Sequence, residues 1–136
     1  MSLEQDVSWN EIDSMMKILS KKISKLNRSF SSITTLSRGG LVPSRLLADH
    51  LGIESIFIDK RKITSDSLFV DDIFDSGKTF EKILSKVNSP SKLVFATLFA
   101  RRGKKYPKNL IFAKKTINDA YVIFPWDKLE FQRSEK

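Results

Sequence analysis

The segment Leu68-Phe-Val-Asp-Asp-Ile-Phe-Asp-Ser-Gly-Lys-Thr-Phe80 gathers residue types that can do chemistry together. An apolar strand pattern runs into Asp71 and Asp72, and after two apolar residues Asp75-Ser-Gly-Lys-Thr79 opens a helical pattern. Backbone N–H groups at a helix start favour an anion, Gly77 lets the chain turn tightly around it, and Ser76 and Thr79 add hydroxyl donors, so a phosphate is the expected occupant. Three carboxylates beside a phosphate would repel it unless they have partners of their own. Asp71 and Asp72 can accept from vicinal ribose hydroxyls, or hold Mg²⁺ directly or through water. The expected ligand is therefore a phosphorylated sugar. Gly77-Lys78-Thr79 also invites comparison with the nucleoside-triphosphate loop G-x-x-x-x-G-K-[ST], but that pattern requires glycine where Asp72 stands. Taken singly, each of these residues also fits an ordinary turn and helix cap after a buried strand.

The elements that must position these groups follow from periodicity. Trp9, Ile12, Met15, Met16, Leu19, Ile23 and Leu26 recur every three or four residues, predicting an amphipathic helix from Ser8 to Leu26, with Ser8 as N-cap and Glu11 completing a capping box. Ile33–Leu36 reads as a strand entering the turn Ser37-Arg-Gly-Gly40. Pro43 suits the first turn of a helix with Leu46, Leu47 and Leu51 on its apolar face and Gly52 as its stop. Short strands are predicted at Ile56–Ile58, Leu68–Val70, Leu110–Ala113 and Tyr121–Phe124, a long one from Lys92 to Ala100, and a helix from Lys78 to Val87. Strands separated by helices imply right-handed crossovers and a mostly parallel sheet, in one domain over residues 1–136.

Composition narrows the possibilities. The chain has no cysteine, which excludes disulfides, thiolate metal sites and a cysteine nucleophile, and His50 is its single imidazole. It lacks any apolar run near the ~20 residues that span a bilayer, and its start lacks a basic segment followed by an apolar one, so the expected location is cytoplasmic, without a membrane partner. The formal net charge of +8 suits either a nucleic acid or a small polyanionic substrate; the basic residues are spread along the chain without interleaved aromatics and read mostly as solvated surface.

At Val70-Asp-Asp-Ile-Phe-Asp-Ser-Gly-Lys-Thr79 the chain resembles the motif by which type I phosphoribosyltransferases bind 5-phosphoribosyl-1-pyrophosphate (PRPP). Ile33-Thr-Thr-Leu-Ser-Arg-Gly-Gly-Leu-Val-Pro43 and the following Leu46-Leu-Ala-Asp-His-Leu-Gly-Ile53 resemble the pyrophosphate-loop strand and helix of bacterial xanthine-guanine phosphoribosyltransferases. Val7-Ser-Trp9 and Pro125-Trp-Asp127 are similar to the same subgroup, so the resemblance covers nearly the whole chain in order. It implies an α/β fold with a mostly parallel central sheet flanked by helices, and a small hood built from the chain termini.

The resemblance also implies residue roles. The loop Ser37, Arg38, Gly39 and Gly40 would bind pyrophosphate through backbone amides, often with a strained non-proline peptide; alternatively it is a glycine turn with Arg38 in solvent. Asp71 and Asp72 would contact the ribose hydroxyls and Mg²⁺, with Asp72 the metal residue. Asp75, Ser76, Gly77, Lys78 and Thr79 would wrap the 5-phosphate, and Asp75 would be the acid/base near the purine. The base would meet Arg101, where the subgroup has a lysine, together with Tyr121, Val122, Trp126 and Asp127. Tyr121 reads equally as edge-strand packing, and Trp126 as packing.

The implied activity is transfer of the phosphoribosyl group of PRPP to guanine, xanthine or hypoxanthine, with Mg²⁺ and no covalent nucleophile. Between Ile58 and Leu68 the family carries a long mobile loop, but here only Asp59–Ser67 stands there. Lys60, Arg61 and Lys62 then read either as a short arm toward pyrophosphate or as a solvated charge run. This shortness, with the net charge, leaves open a second reading, a non-catalytic PRPP- or nucleotide-binding regulator with RNA as a candidate partner. A changed base pocket, with a pyrimidine or other acceptor, is a third. A homodimer or homotetramer is expected by analogy.

Overall fold

The computed structural model describes residues 3–134. Its centre is a five-stranded, wholly parallel sheet of β2 (Ser32–Thr35), β3 (Ile56–Ile58), β4 (Ser67–Phe74), β5 (Phe95–Ala100) and β6 (Leu110–Lys115), in the order β3-β2-β4-β5-β6. A second, two-stranded parallel ribbon pairs β1 (Glu4–Asp6) with β7 (Tyr121–Ile123), in register Glu4 with Tyr121 and Asp6 with Ile123. Helices α1 (Trp9–Ser24) and α2 (Leu41–Leu51) cover one face of the large sheet, α3 (Lys78–Leu84) covers the other, and α4 (Lys128–Ser134) joins the ribbon.

Strands buried on both faces need apolar residues at successive positions. In β4, Leu68 and Val70 pack with Met15, Leu19 and Leu47 beneath α1 and α2, while Phe69 turns to the opposite layer, where its ring stacks on Phe95 at 4.7 Å and Phe80 meets Phe95 edge-on at 5.3 Å. The helix boundaries follow their caps. Ser8 Oγ accepts from Glu11 N at 3.1 Å to start α1, and Gly52, at φ +70°, ends α2 in the left-handed region that glycine adopts freely.

Several elements differ from the periodicity reading. The strand expected from Lys92 begins only at Phe95: Pro90–Lys92 is a 3-10 turn, and the Asn109 amide holds the Pro90 and Leu93 carbonyls. The helix expected to reach Val87 stops at Leu84, and Val87 instead bridges to Ile63. The strand expected to end at Val70 continues to Phe74, carrying both aspartates on a rigid element. Strand β1 and helix α4 carry patterns too short to read. Trp9 is about half exposed despite its place in the helical stripe, because it turns to Trp126 at a ring distance of 5.8 Å.

That contact belongs to an aromatic seam fastening ribbon to sheet: Phe99 on β5 lies 5.9 Å from Phe124, and Phe124 stacks on Trp126 at 4.9 Å. No helix among the described residues is long and apolar enough to cross a membrane. Phe124→Ala is expected to cost about 3–5 kcal/mol in urea unfolding, with hydrogen-exchange protection lost first in β1 and β7; uniform loss across the sheet would mean the ribbon is not a separable layer.

Candidate active site

Ligands of open parallel sheets bind beyond the carboxyl ends of the strands, and there β2 and β4 come together. Thr35, the last residue of β2, donates its hydroxyl to Val70 O at 2.6 Å. A Cβ on Gly40 would collide with Thr35 Oγ1 and lie 2.9 Å from Val70 O, while one on Gly39 would lie 2.9 Å from Asp72 Oδ2. Both glycines are therefore required by close approach, which draws the loop Leu36–Gly40 onto the aspartates of β4. The Ser37–Arg38 peptide of this loop is cis.

The loop is anchored by a residue the sequence reading passed over. Asp59, at φ +55° just after β3, accepts from Ser37 N at 3.0 Å and Ser37 Oγ at 2.6 Å, and gives its own N–H to Thr35 O. The two bonds from Ser37 hold its carboxyl below the ordinary value. Its one sequence signal was an aspartate ending the short run Ile56–Ile58.

Asp71 and Asp72 lie at the floor of a cavity of about 190 Å³ also lined by Asp75, Ser76, Gly77 and Thr79. Each aspartate uses Oδ1 on the next backbone N–H, Asp71 from Asp72 N at 2.9 Å and Asp72 from Ile73 N at 2.8 Å. Burial raises both carboxyls, and burial together with the adjacent Asp71 charge pushes Asp72 up to about 8. The turn above them is made by Gly77 at φ +88°, packed over Phe74, with Lys78 N donating to Ser76 Oγ at 3.3 Å. Lys78 lines an adjoining cleft with Lys105 and Tyr106, which shares Ser76 and Gly77 with the first.

Arg101, expected to reach a base, has another job. Only 8% exposed, it grips Asp75 with Nε on Oδ1 at 3.1 Å and Nη2 on Oδ2 at 3.3 Å, and Nη1 donates to Asn118 O at 3.0 Å and Ala120 O at 2.8 Å. Four of its five N–H donors are spent on the protein. The pair thus ties the loop after β4 to the chain leading into β7.

The remaining expected residues flank a second cleft of about 370 Å³, lined by Arg38, Gly39, Tyr121, Asp127, Glu130 and Phe131. It meets the first at Gly39, against Asp72. Tyr121 is exposed and stacked on Phe131 at 5.8 Å, leaving its other surroundings open. Asp127 is raised, first by burial and then by the charges of Asp72 and Glu130, with Arg38 opposing; Arg38 also lies 3.5 Å from Glu130. The side chains of Val122 and Trp126 do not line this cleft: Val122 is buried in the core and Trp126 stacks in the aromatic seam.

The segment between β3 and β4 is fastened down. Ile63 is buried beside Val87, Ile63 N donates to Lys86 O at 3.0 Å, and Ser65 N donates to Asn88 Oδ1 at 3.0 Å. Lys60, Arg61 and Lys62 are exposed, and Lys60 lies over the Phe57 ring.

A five-stranded parallel sheet with a glycine loop after β2, paired aspartates and a phosphate-type turn after β4, and a small hood defines the type I phosphoribosyltransferase fold. Solved structures agree: the xanthine-guanine-hypoxanthine phosphoribosyltransferase of Helicobacter pylori superposes with a TM-score of 0.75 at 19% identity, over 96% of this chain and 99% of that one. A hypothetical protein from Neisseria gonorrhoeae with bound ppGpp superposes with a TM-score of 0.72 at 19% identity, over 99% and 95%. In sequence the chain is a relative of the xanthine-guanine phosphoribosyltransferase of Gluconobacter oxydans, 26% identical over 89% of this chain and 83% of that protein. No family profile matches the chain.

Two outcomes are expected from this geometry. Arg101→Ala strands Asp75 and two carbonyls and is expected to destabilise by about 1–3 kcal/mol; an unchanged denaturation midpoint would show that the clamp is not formed. Asp72 binds its proton more tightly folded than unfolded, so protonation stabilises the fold at low pH, and that contribution is lost as pH rises from the ordinary 3.8 toward about 8. Asp72→Asn should therefore raise thermal stability at pH 8 relative to wild type and leave it nearly unchanged near pH 4. A variant less stable at pH 8 would contradict the buried repulsion.

Proposed function

We propose that this chain transfers the 5-phosphoribosyl group of PRPP to a 6-oxopurine, that is guanine, xanthine or hypoxanthine, releasing pyrophosphate. The observation carrying the reading is the apposition of the Ser37–Gly40 loop and Asp71–Asp72, forced by the missing side chains at Gly39 and Gly40. It sets a backbone-rich turn suited to pyrophosphate against carboxylates suited to ribose hydroxyls, with the phosphate-type turn of Asp75–Thr79 on the same strand.

Asp71 and Asp72 fit Mg²⁺. Each keeps Oδ2 clear of the backbone bonds its Oδ1 makes, and no cluster of three or more metal-ligating side chains exists among the described residues, as suits an ion held mainly by water and substrate oxygens. When bound, Mg²⁺ supplies neutralisation of the charge that develops on the departing pyrophosphate. In the reaction the bond from ribose C1 to pyrophosphate oxygen breaks, a bond from C1 to a base nitrogen forms, and the base loses a proton. The amides of Ser76–Thr79 hold the 5-phosphate, the Ser37–Gly40 loop holds pyrophosphate, and Asp71 and Asp72 orient the ribose. Asp75 takes the proton: each of its oxygens receives one bond from Arg101 and retains a lone pair. Tyr121 offers a stacking face, and Asp127 borders the far side.

A nucleotide-binding regulator on the same fold is the second reading, favoured by the fastened β3–β4 segment, which offers no long cover over the site, and by the ppGpp held in the Neisseria structure. A steady-state assay with PRPP and Mg²⁺ against guanine, xanthine, hypoxanthine, adenine and uracil separates them. Selective turnover of a 6-oxopurine is expected. PRPP or ppGpp binding without turnover of any base would establish the regulator. Asp75→Asn is expected to lower kcat by at least ~100-fold while calorimetry finds PRPP binding nearly unchanged; normal turnover would remove Asp75 from its role.

A further inference from the structure

Residues 14–48 contain no Asp or Glu and seven Lys or Arg; residues 82–118 contain no Asp or Glu and ten Lys or Arg. The fold brings α1 from the first stretch against β5 and β6 from the second, whose first lysine, Lys82, stands on α3 across the sheet. Helix α1 packs on β5 and β6 at one edge of the sheet, and Lys22 Nζ donates to Phe112 O at 2.8 Å across the junction. A groove of about 360 Å³ between the two carries Arg28, Lys92 and Lys108. Lys21 and Lys25 rise from α1 beside it, while Lys114 and Lys115 stand at the far, carboxyl end of β6. All of these cations are exposed. Among the described residues, none of them is in an ion pair, and the paired cation of α1 is Lys17, with Asp13.

We propose that this α1–β6 edge docks the phosphate backbone of double-stranded RNA. Cations free of ion pairs along one edge match a polyphosphate, Arg28 contributing charge while its guanidinium holds Lys92 O and Ser65 O. Stacking on splayed bases is not offered at the junction, because Lys22 lies over the Phe112 ring. Membrane insertion lacks apolar residues beside the groove, where Leu26 is the exposed large hydrophobic and Trp9 stands at the far end of α1. Helix α1 lies flat, with Ile12, Met15, Met16, Leu19 and Ile23 buried beneath it. A flat face suits shape recognition of A-form RNA; a helix reading the DNA major groove must project into it. The groove of this surface, with Lys92 and Lys108, lies at the amino ends of β5 and β6, opposite the site proposed above, and does not depend on its chemistry.

The test is fluorescence anisotropy of a labelled mixed-sequence RNA duplex with the full chain. If about four phosphates are neutralised, log Kobs should fall against log salt with a slope of about −3.6, a loss of roughly a hundredfold between about 50 and about 200 mM salt. Lys21→Glu with Lys108→Glu, one change from each acid-free stretch, should weaken binding at least ~10-fold with an unchanged thermal melt. Lys62→Glu with Lys82→Glu makes the same charge change on the α3 side and should leave binding nearly intact. Equal weakening by both pairs, no binding of RNA, or equal or tighter binding of a DNA duplex, polyglutamate or phosphatidylserine vesicles would overturn the proposal.

Discussion

The site depends on how closely one loop can approach one strand. Thr35 reaches Val70 O, and Gly40 and Gly39 carry no Cβ where Thr35, Val70 and Asp72 already stand. Side chains there would lift the loop off β4 and separate its amides from the carboxylates. The rest of the architecture serves that approach. Two-sided burial of β4 and β5 gives a rigid floor, α2 continues directly from the glycines, and Asp59 pins the loop from the neighbouring strand.

The arginine clamp changes what the base end can be. Subgroup resemblance led to Arg101 as a reader of the base, yet its guanidinium is spent on Asp75 and on two carbonyls of the approach to β7. A planar fork that satisfies several acceptors at once is what arginine does and lysine cannot, so the geometry at this position depends on the guanidinium. The groups bordering the second cleft, among them Tyr121 and Asp127, are not engaged by this clamp.

Much of the fold was legible because it rests on local signals: the stripe of α1 with its Ser8 cap, the Gly52 stop, and strands whose continuous apolar runs demand burial on both faces. Strand β4 was read four residues short because Asp71 and Asp72 look like loop residues, and propensity cannot report that a sheet carries them at its carboxyl end. The short patterns of β1 and α4 gave periodicity nothing to count. The phosphate-type turn was legible because glycine and hydroxyl residues must be adjacent to make it. The partners of Arg101 and the grip of Asp59 on Ser37 were not, since both join residues distant in sequence.

The pairing of β1 with β7 joins residues more than a hundred positions apart, while the helices and most neighbouring strands of the large sheet close over much shorter spans. Loops that long are costly to close and are closed late. The cleft beside Tyr121 therefore forms after the floor carrying Asp71 and Asp72, and local opening would dismantle it before the sheet is disturbed. Such an order allows the cleft beside Tyr121 to breathe while the floor carrying Asp71 and Asp72 stays assembled, giving the molecule a door on one side and a fixed wall on the other.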